Sequence, residues 1–292
     1  MLPVLLNLGF LKIYTFGVFL VLAFFWSTFL LWKNIRLTSY KEETVFDGLF
    51  ISLFGGLFVG RTIYVALHFK DFHFDIMKFL LINGYPGLSL YGLLIGGLIS
   101  FFIFAHFKKI NFLELIDYAV PPLLVALGIG KLGSFFSGTE VGTKTSFVLA
   151  LKYANFDGAR HLTPLYEAIL FFIAAYVAHR MLFAVRREKV SRGISIFFFG
   201  WVFSLVYFIM DPIKANKVLI SGISVDWIVS MALLLTFTLY FLYHLRTQIF
   251  SGVSRVTSSI HINGKSKSNI HQKTAEDAGR GVSETSTADT ET

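Results

Sequence analysis

Seven stretches of roughly 20 predominantly apolar residues run through this sequence, and each is long enough to cross a bilayer as a helix. They fall at roughly 13–32, 45–67, 88–105, 119–137, 165–183, 194–210 and 225–245. The runs are continuous, as in IYTFGVFLVLAFFWSTFLLW, and lack the ten-residue alternation of an outer-membrane barrel strand. Hydrophobic residues make up 55% of the 292 and charged ones 15%, where a soluble domain carries about 25% charged. The expectation is an all-α integral membrane protein with seven transmembrane helices. Cysteine is absent, which excludes disulfides, thiolate metal ligation and a cysteine nucleophile on this chain.

The basic residues predict an orientation. Loops after spans one, three and five, with the stretch after span seven, hold 16 Lys/Arg; the opposite loops hold 8. That bias predicts the N-terminus outside and the C-terminus in the cytoplasm. The first span begins too late, and lacks the small-residue cleavage site, for a removable signal peptide. Residues 1–250 then form the membrane domain. Residues 251–292, rich in Ser, Thr and balanced charge, read as a disordered cytoplasmic tail that cannot bury enough surface to offset chain entropy. Its scattered charges offer no basic surface for nucleic acid.

Ionisable groups inside spans are costly and mark candidate sites. Arg61 lies in span two, Asp117 and Lys131 in span four, Glu140 just beyond it, and Glu167 at the start of span five. Two readings are open: structural ion pairs that neutralise each other, or cations gathered to hold an anion such as phosphate. Glycines at 128, 130, 133, 138 and 142 predict an interrupted span four, with Lys131, Ser134, Ser137 and Thr139 lining a cavity toward the outer leaflet. Gly56–Gly60 and Gly92–Gly96 read as helix-packing positions. No HxxxH, HExxH, GxSxG or Walker pattern occurs, so no metal site is expected. Membrane-buried charge also leaves open a small-solute transporter, weakened by the absence of an internal repeat.

The motifs GRTIYV (60–65), GLSLYGLLIGG (87–97), DYAVPPLL (117–124), GIGKLGSFFSGTEVG (128–142) and RHLTPLYEAIL (160–170) occur in an order that resembles the prolipoprotein diacylglyceryl transferase family. The resemblance runs from about Leu8 to Leu245. It implies a bacterial inner-membrane enzyme without a cofactor. Its partners are phosphatidylglycerol, which donates its diacylglyceryl group, and a lipoprotein precursor whose lipobox cysteine accepts it, with glycerol 1-phosphate released. It implies Tyr91, Lys131 and Glu140 as catalytic residues, and Arg61, Lys131, Ser134, Gly142, Tyr166 and Glu167 as substrate-binding ones.

The polar groups depart from the family pattern. The family's arginine falls at Lys131, its asparagine at Ser134, its histidine at Tyr91 and the span-one tyrosine at Phe16. The span-six arginine and glutamate fall at Phe203 and Tyr207, and the signature glutamate aligns with Thr139, one residue from Glu140. Lysine keeps the charge of arginine but not its bidentate fork, and a phenol is a poor base at neutral pH. The alternative implied is a relative that binds phospholipid or lipoprotein signal segments without chemistry.

Overall fold

A computed structural model of the chain describes residues 3–8, 12–73, 75–81, 85, 87–153, 156–215, 217, 219–220 and 222–244. Seven helices are long and apolar enough to cross a membrane: α1 (Thr15–Ile35), α2 (Glu42–Leu67), α3 (Leu90–Phe107), α4 (Phe112–Ser137), α5 (Thr163–Arg186), α6 (Ile194–Met210) and α7 (Val225–His244). Residues 1–237 form one compact unit; of the second, 238–292, only the end of α7 is described. The expected tail at 251–292 lies outside the described residues. The fold is not purely helical. Small antiparallel hairpins pair Val4–Asn7 with Lys12–Tyr14, Ala150–Lys152 with Ala159–His161, and Leu219–Ile220 with Ile223–Ser224.

The most buried helix is α4, flanked by α1 and α5, while α2 packs along α3. The α2–α3 seam is built from small residues, as the sequence predicts. A Cβ on Gly92 would stand 2.8 Å from the Gly60 Cα, and one on Gly96 would stand 2.5 Å from the Val59 Cβ. In lipid, where no hydrophobic drive separates helix from solvent, such close backbone approach supplies the association.

The expected interruption of α4 does not occur: one helix runs unbroken from Phe112 to Ser137. Two physical reasons account for this. The glycine penalty is a backbone-entropy cost of about 1 kcal/mol per residue, and in the membrane interior it is outweighed by the several kcal/mol lost for each backbone group left unpaired. Gly128 and Gly133 are also taken up by packing, with a Cβ there meeting Phe172 at 2.8 Å and Phe19 at 2.5 Å. The helix also begins seven residues earlier than the hydropathy suggests, because the Asn111 side chain accepts from the Glu114 N–H and caps it.

Pro121 and Pro122 lie inside α4 and remove two helical donors. Pro122 leaves the Tyr118 carbonyl unpaired within the helix, and the buried Asn34 of α1 donates to it at 3.1 Å. Asp117, fully buried, accepts from the backbone N–H groups of Gly193 (2.6 Å) and Ser195 (3.0 Å). Its carboxylate therefore caps the start of α6, where the helix dipole favours negative charge. Asp117 is thus a fold-positioning residue that sets α6 against α4.

Candidate active site

Polar groups gather at the end of the bundle where α3, α5 and α7 begin and where α4 and α6 end. Lys131 and Ser134, one turn apart on α4, share a face. Gly138, with φ 71°, adopts the left-handed conformation that ends α4 and turns the chain back. That reversal lays Glu140 over Lys131: the ammonium donates to its two carboxylate oxygens at 2.7 and 2.9 Å, and Ser134 Oγ donates at 3.3 Å. The Thr139 hydroxyl meets Ser137 instead, at 3.1 Å. Glu140, not its neighbour, carries the acid group to Lys131.

Glu167 approaches the same ammonium from α5. Its carboxylate is 0% exposed and bridges two cations, Lys131 Nζ at 2.7 Å and Lys214 Nζ at 2.6 Å. Lys214 follows α6 directly and is 8% exposed. Short backbone pairing holds it there: Thr143 N–H donates to the Ile213 carbonyl and Ala215 N–H to the Val141 carbonyl, each at 2.9 Å. Gly142 sits opposite Lys214 in this pairing. A Cβ on Gly142 would fall 2.5 Å from the His161 carbonyl oxygen, so only glycine lets this segment lie against the strand Ala159–His161. The Gly142 carbonyl in turn accepts from Arg160 Nη1 at 3.1 Å.

Aromatic rings form the floor. Lys131 Nζ lies 5.3 Å and Lys214 Nζ 4.2 Å from the Tyr207 ring centre, a cation–π arrangement shielded from water. Phe203 stacks on Tyr207 at 4.6 Å. Tyr91, at the start of α3, stands edge-on to Phe203 at 5.9 Å. Its buried hydroxyl faces Asp226 in the first turn of α7. Tyr166 packs beside His161, and its hydroxyl donates to the Leu149 carbonyl, tying α5 to the neighbouring hairpin.

Of the residues singled out by sequence, Lys131, Ser134, Glu140 and Glu167 are therefore in one cluster, with Gly142 and Tyr166 at its edge. Arg61 is not among them, so neither reading left open by the sequence, mutual ion pairs or cations gathered for an anion, includes it. It is 2% exposed and donates to three carbonyls, those of Phe79 (2.9 Å), Gly87 (2.8 Å) and Lys78 (2.7 Å). Lys214 takes its place as the second cation. The sequence held one hint: Lys214 lies at a span end on the sparsely basic side, where a lysine is less expected.

The Glu140 carboxyl lies outside the spans. Burial pushes its pKa up, but the Lys131 and Lys214 ammoniums outweigh this and hold it below the usual 4.5. A depressed carboxyl contributes stability that is complete above its unfolded value and lost as pH falls through the folded one. The melting-temperature gap between wild type and Glu140→Gln is therefore expected to be constant from pH 7 to 5. It begins to narrow below about pH 4.5 and closes as pH falls through the lower folded value. A gap undiminished at pH 3 would remove the ion pair as its cause.

An apolar cleft of about 250 Å³ opens between α5 and α6, lined by Leu170, Ala174 and Val177 on one side and Trp201, Val206 and Ile209 on the other. Glu167, Leu170, Ala174 and Val177 follow helical spacing, so the cleft runs along the same stripe of α5 that carries the buried carboxylate.

Two ammoniums balanced by two carboxylates on an aromatic floor make a buried charged site, and an apolar cleft lies along the same helix. The phosphatidylglycerol–prolipoprotein diacylglyceryl transferase of Clostridium tetani is 28% identical over 200 residues, covering 67% of this chain and 79% of the relative. The enzyme of the same name from Clostridium kluyveri is 26% identical over 249 residues, covering 82% and 96%. That from Listeria monocytogenes is 26% identical over 244 residues, covering 80% and 86%. The family match extends over residues 3–243, taking in all the helices and every residue of the cluster, and by it the chain belongs to the prolipoprotein diacylglyceryl transferase family.

Proposed function

We propose that this chain transfers the diacylglyceryl group of phosphatidylglycerol to the lipobox cysteine thiol of a lipoprotein precursor, at the outer face of a bacterial inner membrane. The observation that carries the reading is the buried Lys131, fixed against Glu140 and Glu167 within a chain of this family. The N-terminus outside and the C-terminus in the cytoplasm follow from the loop charges, and they put the cluster at the outer face.

The phosphate lies against Lys131, and the acyl chains extend into the bilayer, with the α5–α6 cleft able to take part of one. The thiolate sulfur attacks the glycerol carbon that bears the phosphoester oxygen. A carbon–sulfur bond forms, the carbon–oxygen bond breaks, and its electron pair leaves on glycerol 1-phosphate. Lys131 stabilises the charge that gathers on the leaving phosphate, where a preorganised cation in a dry site acts most strongly. The Tyr91 hydroxyl, which faces Asp226, donates to the leaving oxygen. Glu140 sits on a loop with a side chain 37% exposed, so it is the exchangeable ligand of Lys131 and gives way to phosphate. Ser134 and Gly142 shape the loop it moves on. Tyr166 and Arg61 hold the neighbouring hairpin and the entry to α3.

A dedicated base is not required. A thiol of pKa about 8.5 is a few per cent thiolate near pH 7, a deficit of roughly 2 kcal/mol. The test is a depletion rescue. Expressed in a bacterium lacking its own transferase, the wild type is expected to give a lipobox reporter carrying a diacylglyceryl adduct by mass spectrometry. Lys131→Ala is expected to give none. An adduct formed equally by Lys131→Ala removes Lys131 from the phosphate site.

A further inference from the structure

We propose that Lys214 supplies the net positive charge of the donor site, and is the residue that makes it a receptor for a phosphodiester headgroup. The proposal rests on the transferase reading above and adds a residue to it. Its basis is the ion arrangement. Lys131 and Glu167 are both buried and lie 2.7 Å apart, so taken alone they cancel. A cancelled pair exerts no net attraction on an anion. Lys214, 2.6 Å from the other oxygen of Glu167, turns the pair into a trio of charge +1. A phosphodiester carries one negative charge, so trio and headgroup are matched.

The surrounding charges leave that account standing. Glu140, the fourth member, brings the empty cluster to neutrality, and it is the exposed, loop-borne one. Exchange of Glu140 for phosphate therefore conserves the charge of the buried cluster. Asp211, next along the chain, is answered by Lys217 at 3.6 Å and accepts from Ser224 Oγ at 2.7 Å. Asp226 faces the Tyr91 hydroxyl and is also felt by Lys214 and Lys131. Arg160, which donates to the Gly142 carbonyl and lies 4.8 Å from the Phe156 ring centre, carries the opposite charge to Asp226, so together the two leave the sum unchanged.

The position of Lys214 is fixed by more than its charge. The backbone on both sides of it is hydrogen-bonded to Val141 and Thr143, the ends of the segment that follows Glu140. Its ammonium is pinned between the Tyr207 face and Glu167. An ammonium set so firmly beside an exchangeable carboxylate is placed for an incoming anion rather than for solvent.

The experiment compares purified full-length wild type, Lys214→Gln, Lys214→Arg and the double variant Glu167→Gln/Lys214→Gln. Binding of phosphatidylglycerol in mixed micelles and the KM and kcat for the same lipid are measured, with thermal melting as a check on folding. Lys214→Gln is expected to bind about 10- to 100-fold more weakly, the range of one charge-assisted contact, and to show it in KM more than in kcat. Lys214→Arg stays within a few-fold of wild type. The double variant restores a net charge of +1 through Lys131 alone and is expected to bind more tightly than the single variant.

A purely structural role for Lys214 would lower melting without that recovery. Lys214→Gln binding as tightly as wild type, or a double variant binding no better than the single one, overturns the proposal. If wild type binds the lipid and responds to these changes but forms no adduct, the transferase reading fails and the assignment of Lys214 stands.

Discussion

Glu167→Ala is expected to be the most destabilising single change in the chain. The carboxylate is 0% exposed and answers two ammoniums at 2.7 and 2.6 Å. Lys131 keeps Glu140 when it is lost, but Lys214 is left buried against an aromatic ring with no acid at ion-pair distance among the described residues. Stranding a buried charge costs about 3–5 kcal/mol, a large part of the stability of an ordinary domain, which is about 5–15 kcal/mol. The check is a melting curve in detergent beside that of Glu167→Ala/Lys214→Ala. The double variant removes the stranded charge together with its partner and is expected to melt above the single one. Equal melting of the two would show that the Lys214 ammonium finds water when Glu167 is gone.

Arg61→Ala is expected to rank second, for a different reason. Arg61 has no acid partner among the described residues, and its three hydrogen bonds all go to main-chain carbonyls. Two of these, Lys78 and Phe79, belong to the last turn of the short helix Ile76–Leu80, whose carbonyls have no helical donor. The third, Gly87, lies two residues before Ser89, the N-cap of α3, whose N–H donates to the Gly60 carbonyl at 3.0 Å. The guanidinium also lies 5.0 Å from the Phe72 ring centre. Each orphaned carbonyl costs about 1–3 kcal/mol. Arg61→Lys is expected to rescue little, since one ammonium cannot reproduce the planar fork. Limited proteolysis reads the outcome: cleavage between residues 73 and 89 should appear in both variants and not in wild type. Resistance equal to wild type would show that the loop holds without the arginine.

These residues show what the sequence discloses and what it conceals. The seven helices were legible because a bilayer demands length and hydrophobicity of each segment separately, and both are local properties. Lys131, Glu140 and Glu167 were legible because charge beside an apolar run is conspicuous. Lys214 was not, since nothing local distinguishes it from Lys217 three residues on. Its role arises from pairing between 141–143 and 213–215, segments about 70 residues apart. Arg61 was visible as a charge, but its partners are carbonyls, which every residue has and no sequence pattern marks. The continuity of α4 was misjudged because glycine was weighed as it behaves in water.

The pairing of those two loops also orders the making of the protein. Glu167 leaves the ribosome 47 residues ahead of Lys214, an interval of roughly 2–10 s at ordinary rates of synthesis. Until then Lys131 stands against two carboxylates, and those three groups sum to −1. Synthesis of the sixth helix and its loop adds Lys214 and brings that sum to zero, so the cluster is charge-balanced only once residue 214 has been made.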